Sequence, residues 1–162
     1  MNFRNKTQVT GFILSLLMLF TLINSSYFFL FILKLNIGKW LAFNACSLAI
    51  MVYLICYIGY RITKKEELLA FPLLPLYYYG TMGLFIMPWN EANVFAQITH
   101  IIITINILWI MYMLLKERKY ESIGKGILIA TFIFVPIFAY IQTYNQLHIN
   151  EFMQALQSIS MK

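Results

Sequence analysis

Residues 91–119 read EANVFAQITHIIITINILWIMYMLLKERK. From Ala92 to Leu115, over 24 residues, no charged side chain occurs, and the cluster Lys116-Glu117-Arg118-Lys119 stops the run. A helix rises about 1.5 Å per residue, so such a run reaches about 36 Å, enough to cross a hydrocarbon core about 30 Å thick. In lipid every backbone N–H and C=O must be paired within the segment, which leaves the helix as the only open-ended way through. Residues 91–115 are therefore expected to span a bilayer.

Four more runs of the same kind flank it. The first covers about 9–33, too long for an upright span, and is expected to tilt or to bend near Asn24-Ser25-Ser26. It continues well past the length of a secretory signal core and no A-x-A pattern closes it, so it is read as a retained span. A short turn with Asn36 and Gly38 leads to a second span over 40–60, ended by Arg61, Lys64 and Lys65. The third, 68–87, carries Pro72 and Pro75 and is closed by Pro88-Trp89; a re-entrant loop is its alternative. The fifth covers 126–144 and contains Pro136.

Charge decides between these topologies. With five spans, one side receives Arg4, Lys6, Arg61, Lys64, Lys65, Lys116, Arg118, Lys119 and Lys125, and the other only Lys34, Lys39 and Lys162. Nine cations against three in short loops puts the N-terminus in the cytoplasm and the C-terminal tail outside. A re-entrant third segment would send the 116–125 cluster to the wrong side. The tail, 149–160, sets Ile149, Phe152, Met153, Leu156 and Ile159 opposite Asn150, Glu151, Gln154 and Gln157, and is expected to be a short separate amphipathic helix. It would lie on the outer leaflet or cap a neighbouring subunit.

Composition agrees. Hydrophobic residues make up 61% of the 162 and charged residues 11%, against about 45–50% and about a quarter in a soluble domain. A water-soluble globule of this size has too much surface to hide that apolar content. The fold class expected is all-α integral membrane, a bundle of about five transmembrane helices forming one polytopic domain over 1–162. The net charge of +6 arises from short clusters between apolar runs; it sets orientation and meets anionic headgroups, and no nucleic-acid partner is expected. Cys46 and Cys56 stand roughly 15 Å apart along one helix, too far for a disulfide, and read as small apolar residues.

The fourth run also carries the most informative polar pattern. Asn90, Asn93, Gln97, His100 and Thr104 recur at spacings of three and four and fall within one arc of roughly 80°. Polar groups facing lipid are costly, so this stripe must face helices or water. Two alternatives stand: interhelical hydrogen bonds with partners such as Asn24, Ser25, Ser26, Asn44 and Ser47, or a vestibule opening outward with His100 innermost. Asn90 also suits a helix N-cap. His148, the second histidine, lies nearer the outer end, so no shared haem or metal site is expected. In the third segment Tyr77, Tyr78 and Tyr79 precede Gly80 and Gly83, glycines that would let a neighbouring helix approach closely.

The chain has no aspartate, no HExxH, no Walker loop and no GxSxG, and no glutamate inside a span. No catalytic residue, cofactor or metal is expected. In format, small and polytopic with tiny loops, the chain is similar to bacterial accessory, immunity and phage-defence membrane proteins, a resemblance that no motif carries. The expected function is a non-enzymatic component of a bacterial cytoplasmic membrane, acting by self-association or as a subunit beside another membrane protein. The alternatives are a channel or transporter subunit using the fourth-span stripe, and a lipid-binding or lipid-modifying protein with its lipid beside Tyr77–Tyr79 and His100.

Overall fold

A computed structural model describes residues 3–160. It is 88% helical, with no strand among the described residues, and five of its helical segments are long and apolar enough to cross a membrane. Lys162 lies outside the described residues, and so do the side chains of Arg4, Lys6 and Ile159.

Helix α1 runs Phe3–Ser26 and continues as a π-helix over Tyr27–Ile32. Its hydroxyls turn back onto its own carbonyls, Ser15 to Gly11 and Ser26 to Leu22, which satisfies them inside an apolar rod. The long first run does not stop at Asn24-Ser25-Ser26; the helix continues and widens just beyond, over Tyr27–Ile32. Lys34, at φ 54°, ends the rod. Asn36 then accepts a hydrogen bond from the Lys39 amide and caps α2, Ile37–Phe43. At Asn44 the backbone leaves helical geometry (φ −127°, ψ 64°) before α3, Ala45–Thr63, so the second run is broken near one end.

The third segment is a chain of short pieces. Helices α4, Glu67–Ala70, and α5, Leu73–Leu76, are separated at Pro72; a π-turn over Tyr77–Thr81 follows, then α6, Gly83–Ile86. Proline supplies no amide hydrogen, so Pro72 and Pro75 interrupt the hydrogen-bond ladder and the helical pieces stay short. A 3₁₀ turn at Glu91–Asn93, capped by the Asn90 side chain, opens α7, Val94–Lys116. Arg118 turns the chain with φ 56°.

Helix α8 runs Tyr120–Ser160 without a break, 41 residues or about 60 Å. The fifth span and the tail are thus one helix, which corrects the expectation of two. Polarity rises after Tyr144, but Asn145-Gln146-Leu147-His148 contains neither glycine nor proline, so nothing stops the backbone where the environment changes. Nor does the tail stand apart from its own chain. Glu151 pairs with Lys39, Phe152 stacks on Phe43 at 4.7 Å, and Asn145 Nδ2 donates to the Ala42 carbonyl at 2.8 Å. The hydrogen bond and charge of Glu151 raise the Lys39 ammonium above its ordinary value.

The core runs along α1, α3, the third segment and α7, through Met18, Ile50, Tyr53, Leu76, Ile103 and Ile110. Ala130, Phe134 and Phe138 fasten α8 against Phe71, Leu74 and Tyr79. At the end where cations cluster, Lys119 meets Glu66 at 2.9 Å; its hydrogen bond holds the Glu66 carboxyl below the usual value. Outside, the bundle is greasy: Phe20, Phe85, Phe95 and Phe132 are each at least 70% exposed.

Candidate functional site

The polar stripe of α7 faces the third segment. At its start Asn90 Oδ1 accepts from the Asn93 amide, and Asn93 Nδ2 donates to the Pro88 carbonyl, so both hold the entry to the helix. One turn further, Gln97 is fully buried and its Nε2 donates to the Met87 carbonyl at 2.7 Å; its Oε1 has no partner. Thr104 pairs with Thr81 at 3.1 Å and also donates to the His100 carbonyl. The stripe's partners thus come from the third segment and the turn after it. Ser25 Oγ is the hub of a separate node, pairing with the Ser47 hydroxyl and accepting from Asn44 Nδ2 and Trp40 Nε1.

His100 differs from its neighbours on the stripe. It is 4% exposed, its Nδ1 is buried without a partner, and its ring lies flat against Gly83. A Cβ on Gly83 would overlap the imidazole, and one on Gly80 would overlap Ile103. The two glycines are therefore where the third segment approaches α7 most intimately, one through the histidine and one through an isoleucine.

Beside His100 lies a hollow of about 520 Å³, within the size range of small-molecule sites. The break at Asn44, with Phe43 and Cys46, forms one wall; Tyr78, Tyr79 and Met82 form a second, and Gln142 and Asn145 of α8 a third. Ile86 and Gln142 are exposed and also line it, so the hollow opens on the flank of the bundle. Tyr78 stacks face to face on Phe138 at 4.4 Å, and its hydroxyl reaches Gln142 Oε1 at 3.4 Å, a long contact. Tyr79 meets the same Phe138 edge-on, and its own hydroxyl is buried without a partner. Tyr77 points elsewhere: it is exposed and takes no part in the cleft.

Among the described residues, no charged side chain lines the cleft. Three of its residues carry buried polar atoms lacking a partner: His100 Nδ1, Tyr79 Oη and Asn145 Oδ1. Each of these atoms is also closed off from solvent, so their cost of about 1–3 kcal/mol apiece is carried within the packing around the hollow. No group of three or more histidine, cysteine, aspartate or glutamate side chains that could hold a metal ion occurs among the described residues.

Gln142 and Asn145 escaped the sequence reading. Their signal was present, as polar side chains three apart at the end of an apolar run, but only the packing of α8 beside the third segment makes it meaningful. Asn106 was missed too. It is fully buried on a different face of α7 from the stripe. Tyr53 is close enough to interact with it, yet neither amide atom of Asn106 makes a hydrogen bond of good geometry. Comparison with known proteins finds no matching family model, no matching curated protein and no matching solved structure.

Proposed function

We propose that this chain is a five-span protein of a bacterial cytoplasmic membrane, with its N-terminus inside, that acts without catalysis by holding a membrane-dissolved guest in the flank cleft. Membrane insertion is supported by surface chemistry. In each of the five apolar segments no more than 39% of the most apolar stretch is buried inside the bundle, so the remainder needs an apolar solvent. Orientation is supported by the nine-to-three cation imbalance. One observation carries the guest: a hollow of about 520 Å³ with no charged lining among the described residues opens beside the exposed Ile86 and Gln142, walled by Phe43, Tyr78, Met82 and Ile141.

Met82 lines the cleft and is only half-buried, so Met82→Trp fills the space with little disturbance of the core. Native mass spectrometry of the protein released from bacterial membranes is expected to show a retained small molecule. That molecule should be lost from Met82→Trp while the variant keeps its helicity. Identical spectra for the two proteins would refute a guest in the cleft.

Association with a second protein is a further role that α8 favours. Its packed seam runs through Gly126, Ala130, Phe134, Phe138 and Ile141, while Leu128, Phe132, Val135 and Tyr140 are exposed on other faces. In nanodiscs, a complex larger than one chain that Phe132→Ala dissociates is the expected result. A strictly monomeric particle with no co-purifying partner argues against it.

A further inference from the structure

A second hollow, of about 300 Å³, lies at the opposite ends of α3 and α7 from the flank cleft and shares no lining residue with it. It forms where those two helix ends meet the second turn of α1, and Lys64, Glu66, Lys116 and Glu117 line it. We propose that this hollow binds a phospholipid whose head group carries a primary ammonium beside its phosphodiester.

The charged groups of the hollow can be reached by a ligand. Lys64, Tyr112, Lys116 and Glu117 are exposed, and the Glu66 side chain is 24% exposed. Neighbours hold both lysines in place: Lys64 Nζ donates to the Arg61 carbonyl at 2.7 Å, and Lys116 Nζ to the Tyr112 hydroxyl at 3.2 Å. An ammonium has three donors, so one such contact does not exhaust either of them. The two lysines are the partners for a phosphate. Lys119 engages Glu66 at 2.9 Å, so Glu117, exposed at the rim, is the acceptor offered to a ligand's cation.

Charge balance selects a head of both signs. The chain as a whole carries +6, yet two lysines and two glutamates line this hollow. Helices α3 and α7 both end there, and helix C-termini add partial negative charge. Helix α1 contributes Thr7 and Gln8, which lie beyond its first turn, where the positive end of its dipole has faded. A purely anionic head would bind the lysines but meet Glu117 and two helix ends unfavourably. A head with its own ammonium turns Glu117 into a partner. Apolar surface continues from the hollow toward the middle of the bundle: Phe12 and Leu108 stand one helical turn deeper than Gln8 and Tyr112, on the same faces, and both are exposed. They offer two acyl chains a path out, which favours a lipid over a soluble phosphodiester.

Three lipids with the same chains and phosphodiester test this: dioleoyl phosphatidylethanolamine, phosphatidylcholine and phosphatidylglycerol. The first has a cation with N–H donors, the second a cation without them, the third no cation. The full chain is titrated with each in mild detergent, in a Met82→Trp background that closes the flank cleft, and bound lipid is counted by native mass spectrometry. Phosphatidylethanolamine is expected to bind saturably, and the other two about two- to fivefold more weakly. Gln8→Trp, at an exposed lining position, should fill the hollow and abolish this binding. Glu117→Gln should weaken phosphatidylethanolamine about two- to fivefold and leave phosphatidylglycerol no weaker, whereas Lys116→Gln should weaken both. Millimolar glycerophosphoethanolamine, which has the head but no chains, should displace nothing. If phosphatidylglycerol or phosphatidylcholine binds as tightly as phosphatidylethanolamine, or if Glu117→Gln weakens all three alike, the ammonium requirement is overturned. Displacement by glycerophosphoethanolamine would overturn the assignment to a lipid. Equal lipid counts with and without Gln8→Trp would refute the site.

Discussion

Gly83 and Gly124 show how little the residue type says without its surroundings. Both are helical glycines, yet a Cβ on Gly83 would overlap the His100 ring, whereas one on Gly124 would meet nothing within 4 Å. Gly83→Ala must push either the imidazole or the third segment aside, at a cost of about 1–3 kcal/mol. Gly124→Ala should gain about 0.5–1 kcal/mol, because alanine gives up less backbone freedom on entering a helix. Thermal unfolding in detergent is expected to move in opposite directions for the two. A loss of stability in both would mean that the close packing at Gly83 is not what distinguishes them. In the sequence Gly83 reads as a helix contact and His100 as a stripe member; that they touch depends on the rotation of two helices, which spacing within each cannot supply.

Among the elements, α8 departs most from its hydropathy. Composition changes sharply near Tyr144, so the sequence places a structural boundary where there is only an apolar-to-polar one. The helix instead continues to Ser160 and braces α2 through Phe43–Phe152 and Lys39–Glu151. Leu147 is 76% exposed, so Leu147→Pro loses little packing and mainly breaks the helix, at about 3 kcal/mol. Hydrogen exchange is expected to rise in 148–157 and, because the brace is lost, in 37–43 as well. Unchanged protection in 37–43 would show that α2 does not depend on the tail. The other boundaries were legible to differing degrees for a similar reason. Residues 91–115 match α7 within a few positions because Asn90 and the 116–119 cluster are local signals. The break at Asn44 and the π-turn at Tyr77–Thr81 left no such mark: Asn44 is held by Ser25 of α1 and the π-turn packs against α7, both contacts distant in sequence.

The number of apolar helices follows from length and hydropathy, and so is readable before any contact is known. The cleft was not. Its three walls come from residues near positions 44, 80 and 142, and it exists only because the bent third segment lies between α7 and α8. The proposed function requires the bundle to be embedded in lipid with its cation-rich end inward. Impermeant thiol labelling of intact cells tests this, using single cysteines in a Cys46→Ala, Cys56→Ala background. Cysteine at Asn90 or Asn150 should label in intact cells, and cysteine at Glu117 only after lysis. Labelling of Glu117 but not of Asn90 in intact cells, or recovery of the protein in the soluble fraction, would contradict it.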